Sequence, residues 1–225
     1  MNGGFKSRII TQPSESRYAE MVSLLGEGNK IIPAPSEKVN RFTIDEIGYW
    51  AWKNGAYQIP TVELIEWLRN EIKGKLAIEI GAGNGVFGRE LDIISTDSFE
   101  QVDNPEVRKY YQAVNTPLVQ IGENVIKMDG VAAVMNYKPE VVIGSWVTQK
   151  WKGDSYTHGS IYGVDEHQIM TSGSVKKYII IGNKASHGDK KIFEQFRYST
   201  FDFDWLISRA GNNLNRIYVV TQDKI

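Results

Sequence analysis

The sequence predicts an α/β domain built around a mostly parallel sheet, and three observations carry that prediction. Five short apolar runs recur near residues 76, 93, 125, 140 and 178, with helical segments between them. The first two runs belong to one stretch, Lys75 to Asp97, reading KLAIEIGAGNGVFGRELDIISTD. It is a strand, a glycine turn, a short helix and a second strand ending on an acid, the makings of a nucleotide-binding βαβ unit. The composition, 41% hydrophobic and 24% charged, is that of an ordinary globular protein.

The remaining bulk properties act mainly by exclusion. At 225 residues the chain suits one compact domain with an N-terminal extension, divided here as 1–60 (helical extension or lid) and 61–225 (the sheet domain). With 26 basic and 27 acidic residues the net charge is −1, which advertises no nucleic-acid or anionic-membrane surface. There is no cysteine, so disulfides, thiolate metal sites and thiol nucleophiles are absent together. No metal site is predicted. No apolar run approaches the roughly 18 residues of a membrane span. The N-terminus, MNGGFKSRII, lacks a signal-peptide core, and Asn2 stands where myristoylation requires glycine. These features predict a cytoplasmic location.

Taken in order, the first thirteen residues are polar and loosely held. Glu15 to Leu25 predicts a short helix, stopped by Gly26, Gly28 and Asn29. Pro33 and Pro35 make Ile31 to Lys38 an extended connector. Thr43 and Glu46 have capping-box spacing, which predicts a helix from Ile44 to Trp52. A stronger helix follows over Val62–Lys73, with Leu64, Ile65, Leu68 and Ile72 on one face and Gly74 as its stop. Trp50, Trp52, Tyr57 and Trp67 crowd this region, and core packing is the favoured role for them over ligand contact.

The glycines after the first strand fall at Gly81, Gly83 and Gly85. Glycine is needed where backbone turns tightly or lies against a ligand, because a Cβ would clash. The dinucleotide pattern G-x-G-x-x-G fits only from Gly83 through Gly85 and Gly88, two residues late after the strand. The better fit is E-x-G-x-G-x-G with Glu79 inside the strand. That pattern resembles motif I of the class I S-adenosylmethionine (SAM)-dependent methyltransferases. The resemblance, which spans about residues 60–182, implies a Rossmann-like sheet with helices on both faces and antiparallel strand pairing at the C-terminal end. It implies that the loop Gly81, Ala82, Gly83, Asn84 and Gly85 passes under the methionine and ribose of SAM. It also implies that Glu79 helps hold the amino end of the cofactor and that Asp97 binds the ribose hydroxyls. The helix between Gly85 and Asp97 has room for only about two turns, shorter than the family usually has.

Beyond Asp97, Asn104-Pro105-Glu106 is a helix start with Asn as N-cap and Pro at the first position. Val125 to Met128 is the third strand, ending on Asp129. By resemblance Asp129 is a candidate for adenine recognition; as a residue it is equally a cap for a helix over Val131–Asn136. The fourth strand, Glu140 to Gly144, ends at Ser145-Trp146, where the family faces methyl group and substrate. The chain lacks the Asn/Asp-Pro-Pro-Tyr of DNA amino-methylating members there, and without cysteine the cytosine-C5 enzymes are excluded. Lys150 to Gly163, KWKGDSYTHGSIYG, has no apolar periodicity and reads as a loop that closes over the acceptor. Asp165 and Gln168 predict a helix ending near Gly173, and Tyr178 to Gly182 is a fifth strand. In the tail, alternation over Ser199–Trp205 suggests a strand, Asp204 could equally cap a helix over Trp205–Arg209, and Arg216–Thr221 is a last strand.

The function implied is transfer of the SAM methyl to an acceptor by in-line displacement, with Ser145 added to the cofactor set. Substrate-side candidates are Trp146, Tyr156, His158 and His187; no catalytic residue is assigned. A non-catalytic SAM- or nucleoside-binding module on the same fold is the alternative, and a nicotinamide-dependent oxidoreductase a third. The acceptor is open, and neutral net charge tilts slightly toward a small molecule.

Overall fold

The structure, a computed structural model, describes residues 11–113, 115–151, 159–160, 163–211 and 213–224. Helix α1, Glu15–Leu25, begins where the Ser14 hydroxyl accepts the Arg17 amide. The proline-bearing connector is extended only in part, because α2, Ser36–Val39, forms one turn of helix. The Glu63 carboxylate accepts both the amide and the hydroxyl of Ser36, a cap supplied from 27 residues away that no local pattern signals. Helix α3, Ile44–Lys53, carries the expected Thr43–Glu46 capping box. Helix α4, Val62–Ile72, buries Leu64, Ile65, Leu68 and Ile72, each worth about 1.5–3 kcal/mol.

Strand β1, Ala77–Ile80, then α5, Val86–Leu91, and β2, Ile94–Asp97, form the expected unit. A single turn, α6 at Glu100–Asp103, precedes the helix that Asn104 and Pro105 announce, α7 at Pro105–Ala113. Strand β3, Val125–Lys127, α8, Gly130–Tyr137, and β4, Val141–Ser145, fall close to prediction. Helix α9, Glu166–Met170, stops short of Gly173. Strand β5, Lys177–Asn183, runs directly into α10, Lys184–His187, whose Ser186 amide is capped by the Asn183 side chain. Strands β6, Phe196–Phe201, and β7, Asn215–Lys224, close the chain. No helix forms over Trp205–Arg209. The alternating aromatics leave the sheet after Phe201, where Phe201 and Phe203 pack on Trp67 and Trp205 stacks on Phe203.

The seven strands lie in the order β3-β2-β1-β4-β5-β7-β6, the first five parallel and β7 antiparallel to both its neighbours. This is the Rossmann-like sheet that the glycine motif implies. Alternation along the central strands feeds two cores. Val141, Ile143, Ile179 and Ile181 pack with Met21, Trp50, Leu64, Leu68 and Phe87. Ile78, Ile80, Val142 and Ile180 pack on the other face with Ala133, Val134 and Ile169. Helices therefore cover both faces, and residues before 60 share a core with the sheet. Among the described residues no helix is long and apolar enough to cross a membrane. Strand order reverses between β1 and β4, and such a switch point opens a crevice beyond the carboxyl ends of the strands.

Candidate functional site

The crevice begins with the turn out of β1. Gly81, Gly83 and Gly85 all have positive φ, +58°, +54° and +68°, which explains glycine at alternate positions. At Gly83 space is tight as well, since a Cβ would stand 2.8 Å from Val119 Cγ2. The turn is pinned from β2: the Ala82 amide donates to the Thr96 carbonyl (3.0 Å) and the Gly83 amide to Asp97 Oδ2 (3.0 Å). Asp97 Oδ1 accepts from the Phe99 amide at 2.8 Å. Burial raises the Asp97 carboxyl above its ordinary value, opposed by these two amides.

Glu79 is fully buried, and its partners come from within the chain. Oε2 accepts from the Gly88 amide (3.0 Å) and from the Ser95 hydroxyl (2.8 Å), tying α5 and β2 to β1. Gly88 is required there, because a Cβ would collide with Ser95 Oγ. Burial pushes the Glu79 carboxyl up to about 7 against the pull of Ser95 and Gly88.

Above the turn lies a cavity of about 660 Å³, within the usual range for small-molecule sites. Glu79, Gly81, Ala82, Gly83, Asn84, Asp97, Ser145, Trp146 and His187 all line it. Gly85 stands behind the loop, against Asn124 and Val125. Asp129 is exposed and outside the cavity; its Oδ1 accepts the Val131 and Ala132 amides, so it serves as the N-cap of α8. Tyr156 and His158, and Tyr162 with them, lie outside the described residues. The ends of their loop are joined by bridges between Gln149 and Val164 and between Lys150 and Ser160.

The far wall joins the expected Trp146 and His187 to Tyr57 and Arg209, which sequence reading left out of the site. The Arg209 guanidinium stacks over Tyr57 at 3.5 Å, Tyr57 lies 5.6 Å from Trp146, and Trp146 meets His187 edge-on at 5.3 Å. Trp146 has φ +58°, a strained value for a bulky residue, and its indole donates to Gln58 Oε1 at 3.2 Å. Of the four crowded aromatics, Trp50 and Trp67 pack in the core, whereas Trp52 and Tyr57 line the cavity. His187 Nδ1 accepts the Asn183 amide at 3.2 Å, which assigns the ring proton to Nε2. Burial and then the Lys190 ammonium lower the His187 ring to about 3, so it is neutral near pH 7 and a poor base. His167 lies elsewhere, bonded to Gln195. Among the described residues, the acidic and basic side chains lining the cavity are Asp45, Glu79, Asp97 and Arg209, with His187, and no group of three His, Asp or Glu is placed to hold a metal.

No family model matches the sequence, and no curated protein does. Among solved structures, the chain is similar to the 23S rRNA methyltransferase ErmE, at 12% identity over 71% of this chain and 67% of that one, with a TM-score of 0.37. It is similar to an rRNA methylase from Streptococcus thermophilus at 9% identity, over 70% of this chain and 93% of the other, with a TM-score of 0.35. A SAM-dependent methyltransferase from Agrobacterium tumefaciens shows 9% identity over 71% and 61% of the two chains, with a TM-score of 0.35. RNA is the substrate named for the first two. With TM-scores below 0.5, the functional reading rests on this chain's own residues.

Proposed function

We propose that the chain is a SAM-dependent methyltransferase. One observation carries the reading: a positive-φ glycine turn, pinned by the acid that ends β2, forms the floor of a cavity at the sheet's switch point. The residues fit the cofactor. The turn offers backbone without side chains, and Asp97 presents a half-buried carboxylate for ribose hydroxyls. Asp97 and Asp45 put acids on the walls, which suits a sulfonium cation. The base then belongs beside Gln101, Tyr111 and Val119 at the β2 end, and Asp129 keeps its capping role.

When bound, SAM supplies an activated methyl group. The chain's part is placement. Gly81 to Asn84 and Asp97 hold the nucleoside and methionine, while Ser145, Trp146 and Tyr57 border the acceptor space. Orientation of this kind contributes up to ~7–11 kcal/mol in favourable cases. His187 is too weak a base to collect a proton near pH 7, so it acts as a neutral donor from Nε2. Residues before 60 supply Tyr57 and Gln58 and so roof the acceptor end.

Calorimetric titration with SAM, its demethylated product and NADH tests the reading. Binding of the first two and not the third is expected. Binding of neither SAM nor product would leave the fold as a scaffold without this cofactor, and binding without turnover of any acceptor would favour the non-catalytic module.

A further inference from the structure

The cavity has two chemically different ends. The acids Glu79 and Asp97 stand at the ends of β1 and β2, under the glycine turn. Beyond β5 the wall is built from α10 and from the segment between β6 and β7, which carries the guanidinium of Arg209, and α3 adds Asp45 to the lining. That guanidinium is half-buried and forms neither a hydrogen bond nor an ion pair with any described residue. Its contact is the face of Tyr57, 3.5 Å away. A cation withdrawn from water without a counter-charge is unfavourable, and proteins retain one where a ligand supplies the missing charge.

The segment that carries Arg209 is held firmly. The Arg209 amide donates to the Tyr57 carbonyl (3.1 Å), and both Gln58 Nε2 (2.7 Å) and the Ile59 amide (3.0 Å) donate to the Ile207 carbonyl. On its other side the buried Ser208 hydroxyl donates to Asn215 Oδ1 at 2.6 Å, and Asn215 Nδ2 donates to the Leu206 carbonyl at 2.7 Å. The cation is thus fixed before any ligand arrives, which spares a ligand the ordering of a long side chain. Beside it, His187 is buried with Nε2 unpartnered, a second group short of an acceptor. The rings of Tyr57 and Trp146 complete the wall with flat apolar surface.

Resting on the methyltransferase reading, we infer that the β5 end of the cavity binds the oxyanion of a small, flat methyl acceptor, with Arg209 as its cation. Arginine suits the task because its planar fork pairs with two oxygens at once. Trp146, at the end of β4, stands between this end and the glycine turn. The acceptor's body therefore lies along Tyr57 and Trp146, its anionic end outermost. The oxyanion chemistry is shared by carboxylates and phosphates.

The test uses the full chain and three probes of one shape: benzoate, phenyl phosphate and benzyl alcohol. Each is titrated into wild type and Arg209→Gln, with and without saturating demethylated product. One or both anions should bind wild type at least about tenfold more tightly than Arg209→Gln, while benzyl alcohol does not discriminate. The preferred anion identifies the source as carboxylate or phosphate. Affinity for demethylated product should stay within twofold in the variant. If Arg209→Gln fails to fold, Arg209→Lys keeps the charge without the fork and should show a smaller loss for the same anion. Equal binding of all probes to wild type and variant, or none to wild type, would overturn the inference. So would a variant that weakens demethylated product but not methylthioadenosine, because Arg209 would then hold the cofactor's own carboxylate. Displacement of the bound anion by a short single-stranded RNA would replace the small acceptor with a backbone phosphate. Failure of the methyltransferase reading looks different: wild type then binds no demethylated product, whether or not it selects anions.

Discussion

Replacing Asp97 with alanine should damage two things at once, and the structure separates them. In the free protein its two carboxylate oxygens hold the Gly83 and Phe99 amides at 3.0 and 2.8 Å. Alanine leaves both donors without their acceptor, at a cost of ~1–3 kcal/mol each if they are dry. Asp97 is half-buried, so water rescues part of this, and a net loss of ~1–3 kcal/mol in unfolding free energy is expected. The second effect appears on binding. A ribose that loses its carboxylate forfeits a further ~1–3 kcal/mol, or roughly 5- to 150-fold in affinity. SAM and its demethylated product carry the same ribose, so both should weaken by the same factor. Asp97→Asn keeps one acceptor oxygen and should lie between. The assays are denaturant unfolding for the first effect and calorimetry with both ligands for the second. Unchanged affinity, or selective loss of one ligand, would refute the placement of the ribose at Asp97.

Gly83→Ala should destabilise the fold by more than 1 kcal/mol in denaturant unfolding, because φ is +54° and the new Cβ meets Val119 Cγ2 at 2.8 Å. Adding Val119→Ala should recover only the steric part. Glu79, with its carboxyl pushed up to about 7, binds its proton more tightly folded than unfolded. Its contribution is therefore full below pH ~4.5 and declines as pH rises through 7, on the order of 3 kcal/mol across the window. Glu79→Gln should abolish that decline, read as the difference between wild-type and variant stability against pH. His187 has the opposite sign: held down to about 3, it adds stability that is full above pH ~6.5 and lost as pH falls toward 3. The pH profile of Glu79→Gln should consequently slope upward over that range. Lys190→Met should cost ~3–5 kcal/mol in the same unfolding assay, since it strands the buried Glu166 carboxylate and frees the Val147 carbonyl.

What the sequence determined by itself was whatever depends on neighbours a few residues apart. The Thr43–Glu46 capping box, the Asn104-Pro105 helix start and the apolar runs of the five parallel strands all act within one turn or one strand. The same holds for the turn from Gly81 to Gly85, where consecutive backbone dihedrals impose glycine, and for Asp97, fixed by its place at the end of β2. Tertiary structure decided everything that rests on pairing across long separations. Glu79 reads as a strand acid near a ligand, and only the fold reveals that Ser95 and Gly88 bond its Oε2. Asp129 offers a carboxylate that suits either adenine or a helix end, and only the path of the chain commits it to α8, away from the cavity. Tyr57, Trp146 and Arg209 are separated by 89 and 63 residues in sequence, yet form one wall because the segment after β6 folds back onto residues 57–59. Nothing local marks Arg209 as part of a site, since its stacking on Tyr57 and its lack of a hydrogen-bond partner among the described residues arise only on folding.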